Sequence, residues 1–333
     1  MNMTRRRFVA SAAAATVGAN LLGIRAAFGG AYRTSQRDPF GGFPIGVQSY
    51  SLRNFDLLQT VRHIHGLGLH YAEFYSGHLP LDATDERINE TLELLREADI
   101  RLVAHGVNDF TKDDAANRRI FEFAKRSKIR NITANPQPDS FDSLDRLCAE
   151  FDIRICIHNH GPGAQYDKIN DVATAVKDRH PHIGACIDTG HFIRSAEDPV
   201  KAVSDLRGRV FALHVKDEAE QNANSHNVVI GTGHLDLIGL FKALRETQFP
   251  PDGSISLEYE ANPDNPIEDM RQCLEQAKQA IAKLTFTSVA QPPVENNPSA
   301  VEICAPSSCV LCPTRPRSLR ERLRRRCFRK TAN

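Results

Sequence analysis

The chain has 333 residues, 41% hydrophobic and 25% charged, with a formal net charge of +1. That is ordinary globular composition, and the near-neutral balance gives no general pull toward nucleic acid or an anionic membrane surface. Length would admit two domains, but a single α/β barrel of roughly 250 residues would use most of it.

The N-terminus carries Thr4-Arg5-Arg6-Arg7-Phe8-Val9 and then Ala- and Leu-rich sequence to about Phe28, with no acidic residue before Asp38. Residues 1–30 therefore read as a twin-arginine export signal. That implies an exported, periplasmic protein that folds before crossing, with membrane contact only through an uncleaved signal. Residues 31–43 read as a linker.

From Pro44 the chain alternates strand-like and helix-like segments, the pattern of a parallel α/β fold. Strands are expected at 45–50, 70–75, 100–105 and 130–134, and helices at 56–67, 85–98 and 113–127. In the second of these helices Ile88, Leu92 and Leu95 form one apolar stripe. Four further strand-like runs begin at Arg154, Ile183, Val210 and Ser254, with helices near 167–180, 197–207, 236–248 and 266–284. Eight such units in one series predict a single-domain (β/α)8 TIM barrel over residues 44–288. Beyond it, residues 289–333 are Pro-, Arg- and Cys-rich and read as a disordered basic tail. Cys309-x-x-Cys312 there lacks a second ligand pair, and Cys304 and Cys327 do not supply one.

Each of the last four strand runs ends on a metal-ligand type: His158, Asp188, His214 and Glu258. In a closed parallel barrel the C-terminal strand ends converge on one mouth, so ligands far apart in sequence would meet. A His/Asp/His/Glu set suits Zn²⁺, Mn²⁺ or Co²⁺ better than Ca²⁺, with Mg²⁺ a further candidate. Asp188, in Ile-Asp-Thr-Gly-His191, would equally serve as a helix cap. Lys216 lies two residues after His214, on the same strand face, and needs an anionic partner or a task such as steadying an oxyanion. Glu258 and Glu260 share one face. His158 and His160 face together, and Gln48, Glu73, His105, His160, His191, His226 and Glu260 are expected to line the mouth as substrate contacts. His78 reads as an ordinary surface or loop histidine. Cys156 and Cys186, each two residues before a proposed ligand, read as small buried residues pointing into the barrel.

In order along the chain, Gly46-Val-Gln-Ser-Tyr-Ser-Leu-Arg53, Cys156-Ile-His-Asn-His160, Ile187-Asp-Thr-Gly-His191, Leu213-His-Val-Lys-Asp217, Gly231-Thr-Gly-His-Leu-Asp236 and Leu257-Glu-Tyr-Glu260 resemble the xylose-isomerase-like TIM-barrel superfamily of sugar isomerases, epimerases and the endonuclease IV group. The resemblance covers about residues 44–284. It implies one divalent metal held by His158, Asp188, His214 and Glu258. The superfamily's epimerases commonly carry Glu where this chain has His158, and use two glutamates as proton carriers on opposite substrate faces.

The resemblance thus implies a sugar or sugar derivative as substrate and proton abstraction beside a carbonyl, through a metal-stabilised enediolate. Glu258 or His158 would act as base, with Lys216 and His191 steadying the enediolate oxygens. Isomerisation or epimerisation is the first expectation. A lyase acting on keto-glycosides, a metal-assisted hydrolase of the endonuclease IV type and a non-catalytic sugar-binding barrel stay open, as does a homo-oligomer.

Overall fold

The computed structural model describes residues 38–286. The twin-arginine segment, and the basic tail with Cys304, Cys309, Cys312 and Cys327, lie outside the described residues. Eight parallel strands close into a barrel: β1 (Ile45–Gln48), β2 (Tyr71–Phe74), β3 (Arg101–Phe110), β4 (Asn131–Pro136), β5 (Arg154–His158), β6 (Ile183–Asp188), β7 (Val210–Val215) and β10 (Ser254–Leu257). Neighbours in the barrel are neighbours in sequence, and β10 pairs with β1 to close the ring. A small antiparallel ribbon, β8 (Asp217–Glu218) with β9 (Asn227–Val228), stands after β7.

Helices pack outside: α1 (Leu57–Gly66), α2 (Asp85–Glu97), α3 (Asp114–Arg126), α4 (Phe141–Phe151), α5 (Ile169–Val176), α6 (Thr189–Arg194), α7 (Pro199–Asp205), α8 (Leu237–Glu246) and α9 (Ile267–Phe286). Most start on a side chain that accepts from a first-turn amide: Asp56, Thr84, Asp113, Asp188, Asp198 and Asp236. Each such cap stabilises its helix by about 1 kcal/mol. None of these helices is long and apolar enough to cross a membrane.

Helix α4 is absent from the sequence expectation. Pro136 and Pro138 ahead of it read as loop, and Ser140 supplies no capping hydrogen bond. The signal that could have found it is the buried stripe of Phe141, Leu144, Leu147 and Cys148. Strand β3 also runs to Phe110, five residues past its expected end. At the other margin Phe40, inside the stretch read as a linker, is buried in the core.

The main apolar core lies between strands and helices, where outward strand residues such as Val47, Phe74, Ile132 and Leu213 meet helix residues such as Ile64, Leu95, Phe121 and Leu244. The barrel interior is different: apart from Phe211 its residues here are small or polar. Cys156, Cys186, Phe211 and Ala212 form a separate cluster directly beneath the level of His158, Asp188 and His214. Cys148, Cys156, Cys186 and Cys273 are buried free thiols, and burial pushes the thiols of Cys148, Cys186 and Cys273 up to about 12. They are packing residues at neutral pH.

Candidate metal centre

His158, Asp188, His214 and Glu258 come together at the C-terminal mouth, each offering an atom within 4.8 Å of the others. Register explains the meeting: His158 pairs with Cys186, and Asp188 pairs with His214, so adjacent strands end on ligands at nearly one level. All four are buried, Asp188 and His214 completely. His158 Nε2 lies 3.3 Å from Asp188 Oδ2, and His214 Nδ1 lies 2.9 Å from Glu258 Oε2.

Each inward-facing atom here, His158 Nε2, Asp188 Oδ2, His214 Nδ1 and Glu258 Oε2, is buried and makes no regular hydrogen bond, only ion-pair contacts with another of the four or with Lys216. Buried polar atoms are otherwise almost always satisfied. The remaining atoms of two of these residues are tied down: Asp188 Oδ1 accepts from the His191 amide at 2.8 Å, and His214 Nε2 is 3.0 Å from Glu73 Oε1. Two imidazole nitrogens and two carboxylate oxygens gathered at one point without regular hydrogen bonds fit a borderline divalent cation such as Zn²⁺, Mn²⁺ or Co²⁺. Asp188 caps α6 with one oxygen while the other faces the cluster.

Electrostatics agree. Burial pushes His158 down to about 4, leaving it neutral with a lone pair to offer. Burial alone would raise Asp188, but His191 and Lys216 hold it well below the usual carboxylate range. Burial likewise opposes the ionised form of Glu258, and Lys216 and His214 overcome it. For His214 burial disfavours charge, yet Cys186, Glu73 and Glu258 push it well upward. The cause is the negative charge of the surrounding carboxylates at the ring.

Lys216 is buried and finds three carboxylates: Asp188 Oδ2 at 3.1 Å, Glu258 Oε2 at 3.0 Å, and Glu260, with which it makes a short ion pair. Thr189 and Gly190 hold its base, the Thr189 hydroxyl accepting from the Lys216 amide at 2.8 Å. A Cβ on Gly190 would come 2.7 Å from Lys216 Cβ, so only glycine permits this approach. His160 and His191 stand beside His158, with ring centroids 4.6 and 5.7 Å from it. Burial lowers His191 to about 4 as well. Glu260 reaches the mouth through its pairing with Lys216.

Other expected mouth residues do not come together there. His105 faces outward: it pairs in register with Phe74, its Nε2 lies 2.9 Å from the Leu79 carbonyl, and its ring packs on Phe123. It is a core histidine. Glu73 points inward but offers no free oxygen, because Oε1 takes Thr133 and His214 while Oε2 accepts from Ser256 at 2.8 Å. It sits behind His214 and orients it. Gln48 is buried and spent on backbone, donating to the Gly106 carbonyl and accepting from the Tyr50 amide. His226 is exposed in the loop of the ribbon. His78, expected at the surface, is buried with Nε2 3.0 Å from the Phe55 carbonyl.

Two supports were not singled out from sequence. Asn159 bridges β5 to β6, donating to the Asp188 carbonyl at 2.9 Å and accepting from its amide at 2.8 Å. Asp217 accepts from the amides of Gly231, Gly233 and Leu235, which gathers the Gly-Thr-Gly-His loop beside the mouth. Its position in the Lys216-Asp217 pair was the available signal.

A closed (β/α)8 barrel with a buried His/Asp/His/Glu cluster at its C-terminal mouth defines a class of enzyme-like barrels. Residues 137–278 match the family model described as xylose isomerase-like TIM barrel. The inosose dehydratase of Clostridium botulinum (strain Eklund 17B / Type B) is 28% identical over 145 residues, 38% of this chain and 48% of that protein. The chain spans about half the length of the curated relatives it matches. Among solved structures, an uncharacterised protein of Parabacteroides distasonis superposes with TM-score 0.56 at 27% identity, covering 70% of this chain and 97% of that one. The 3-keto-D-glucoside 4-epimerase of E. coli matches in fold, with TM-score 0.58 and 17% identity over 71% of this chain and 99% of that one. Over residues 137–278 the chain is thus similar to the xylose isomerase-like TIM-barrel family.

Proposed function

We propose that this protein is a divalent-metal-dependent lyase that removes a proton beside the carbonyl of a sugar-derived ketone and expels a β-oxygen substituent. The observation that carries this reading is the asymmetry of the ligand set: Glu258 is the one glutamate, and its counterpart on β5 is the neutral, buried His158. A proton delivered to the opposite face needs a second proton carrier there, whereas elimination can use one group that takes the proton and hands it to the leaving oxygen. The partial likeness to inosose dehydratases points the same way.

A metal held by His158, Asp188, His214 and Glu258 supplies Lewis acidity toward a carbonyl and its neighbouring hydroxyl. Glu258 takes the proton from the carbon beside the carbonyl. Lys216 has a second anchor in Glu260, so its ammonium can leave Glu258 without losing a counter-charge, and then faces the developing oxyanion. His191, neutral and at the mouth, donates to a second oxygen. The C–H and the β C–O bond break, a C=C bond forms, and the departing oxygen takes up the proton that Glu258 removed, to leave as water or an alcohol. Keto-glycosides and keto-cyclitols both provide that arrangement. The barrel itself is proposed to work after twin-arginine export, which a signal-dependent reporter fusion would check.

The test is solvent exchange. Mn²⁺-loaded protein is incubated in D₂O with a panel of keto-cyclitols, keto-glycosides and ketoses, and the metal-stripped products are read by NMR. Deuterium beside a carbonyl together with an unsaturated product is expected. Exchange with a rearranged or inverted sugar instead would make it an isomerase or epimerase, and metal binding without exchange would favour a binding barrel. Hydrolysis of the endonuclease IV kind is less well supported, since the described residues hold one ligand cluster.

A further inference from the structure

We infer that Arg194 anchors a carboxylate on the substrate, so that the substrate is an acidic sugar ketone of the uronic-acid type; for the reaction that follows binding, this rests on the elimination reading above. The buried cation of the mouth, Lys216, faces three carboxylates, Asp188, Glu258 and Glu260. Arg194 is its opposite. It is half-buried at the end of α6, one turn after His191. Its side chain donates from Nε and Nη2 to the Ala223 carbonyl, at 3.3 and 3.1 Å. A neutral carbonyl leaves the guanidinium charge in place, and among the described residues no carboxylate forms an ion pair with Arg194. A charge drawn partly out of water without a counter-charge is costly, and an incoming anion offsets that cost.

Nη1 is the nitrogen left over, and it borders a small gap. A Cβ on Gly161 would stand 3.6 Å from Arg194 Nη1 and 3.6 Å from His191 Nδ1, both ordinary contact distances. Gly161 is not in the left-handed region, so neither its backbone nor crowding requires glycine, and the effect of glycine is to leave the gap open. The turn that carries it is fixed: the Ala164 amide donates to the Gly161 carbonyl, and the His160 amide to the Tyr166 carbonyl, each at 3.1 Å. At the other edge of the His191 ring, Nε2 lies 4.0 Å from Asp188 Oδ2. The gap is therefore one imidazole's width from the ligand cluster, where a substituent of the reacting ring would lie.

The neighbours of Arg194 do not supply the missing charge. Burial lowers His191 to about 4, which leaves it neutral. Burial raises Glu218 toward its neutral form while the Arg194 charge opposes that rise, yet the two form no ion pair. The Glu218 carboxyl lies instead against Gly190, with Oε1 3.3 Å from where a Cβ there would stand. One spare nitrogen beside a gap that a methyl group would fill suits a planar carboxylate. A phosphate ester brings more oxygens and more charge than a single nitrogen serves. Arg53 is the rival cation of the mouth, also bonded to neutral carbonyls, those of Tyr50 and Glu260. Both of its terminal nitrogens are engaged there, whereas Arg194 keeps one wholly free.

The experiment gives Mn²⁺-loaded protein methyl 3-keto-glucoside, the matching 3-keto-glucuronide, which differs only in carrying a carboxylate in place of the hydroxymethyl group, and the 6-phosphate of the glucoside. Wild type is expected to prefer the uronate over the neutral glycoside about 10–100-fold in kcat/KM, chiefly through KM. Arg194→Gln should lose that factor on the uronate against about 2-fold on the neutral glycoside. Gly161→Ala, whose methyl fits the gap, should lose several-fold on the uronate alone, and Arg53→Gln should keep the preference. Equal treatment of uronate and neutral glycoside by wild type, equal losses on both in Arg194→Gln, a stronger preference for the 6-phosphate, or loss of the preference in Arg53→Gln would each overturn the proposal. Calorimetric titration with the unreactive methyl glucuronide and methyl glucoside separates binding from chemistry. A uronate preference that Arg194→Gln removes supports the anchor even where neither ketone is eliminated, and that result would fail the lyase reading alone. A preference that survives Arg194→Gln, as when the carboxylate binds the metal itself, or no preference in wild type, overturns the anchor.

Discussion

The two halves of the barrel mouth are built by the same strand alternation yet carry opposite chemistry. Strands β5, β6, β7 and β10 lead to His158, Asp188, His214 and Glu258, whose inward atoms make no regular hydrogen bond and converge where a cation could sit. Strands β1 to β3 carry polar groups that are already spent. Gln48 holds backbone, His105 is turned into the helix layer, and Glu73 is closed behind His214. The lesson is that a polar residue at a strand end becomes reactive only when its own side of the mouth leaves it unsatisfied. One half positions and covers, and the other binds.

The largest expected break of that contrast is Asp188→Ala. It should empty the centre of metal and lower turnover about 1,000-fold, since one ligand, one charge and the cap of α6 go together. Metal analysis after gel filtration decides it, and near-stoichiometric metal in the variant would remove the site assignment. Next comes Glu258→Gln, expected to slow deuterium exchange by about 10²–10⁴ with an unchanged circular dichroism spectrum. Exchange at the wild-type rate would transfer the base role elsewhere.

Glu73→Gln sharpens the comparison from the quiet half. Losing the carboxylate behind His214 should weaken metal affinity about 10–100-fold, the usual cost of disturbing an orienting partner, and a competitive chelator titration reads it directly. The smallest effect belongs to His105→Phe. It should leave metal content unchanged while costing about 1–3 kcal/mol of stability, because the Leu79 carbonyl loses its partner. Burial lowers the pKa of His105 below its ordinary 6.5, so folding favours the neutral ring. That contribution is complete above pH 6.5 and fades as pH falls below it. Denaturant melts across pH 4.5–7.5 should therefore show a shallower acid loss in His105→Phe than in wild type. A change in metal content would instead place His105 at the centre.

Much of the architecture was legible because it is local. Seven of the helices and all eight barrel strands follow from the alternation of strand-like and helix-like segments. Helix α4 escaped because two prolines and an uncapped start hid a short stripe. The ligand quartet was legible for a different reason, since a parallel barrel brings every strand's C-terminal residue to one end whatever its distance in sequence.

What sequence by itself determined is therefore the list of strand-end chemistries and the sign of the alternation within each strand. What only the tertiary structure decided is which of those side chains meet. Closure of β10 on β1 and the register shifts along β3 and β7 set which residues stand level across the interior. That is how Glu73 reaches His214, 141 positions away in sequence, and how His105 is turned out of the mouth. The reason is physical. Alternation is fixed residue by residue, whereas contact across a barrel depends on the stagger at which the whole sheet closes.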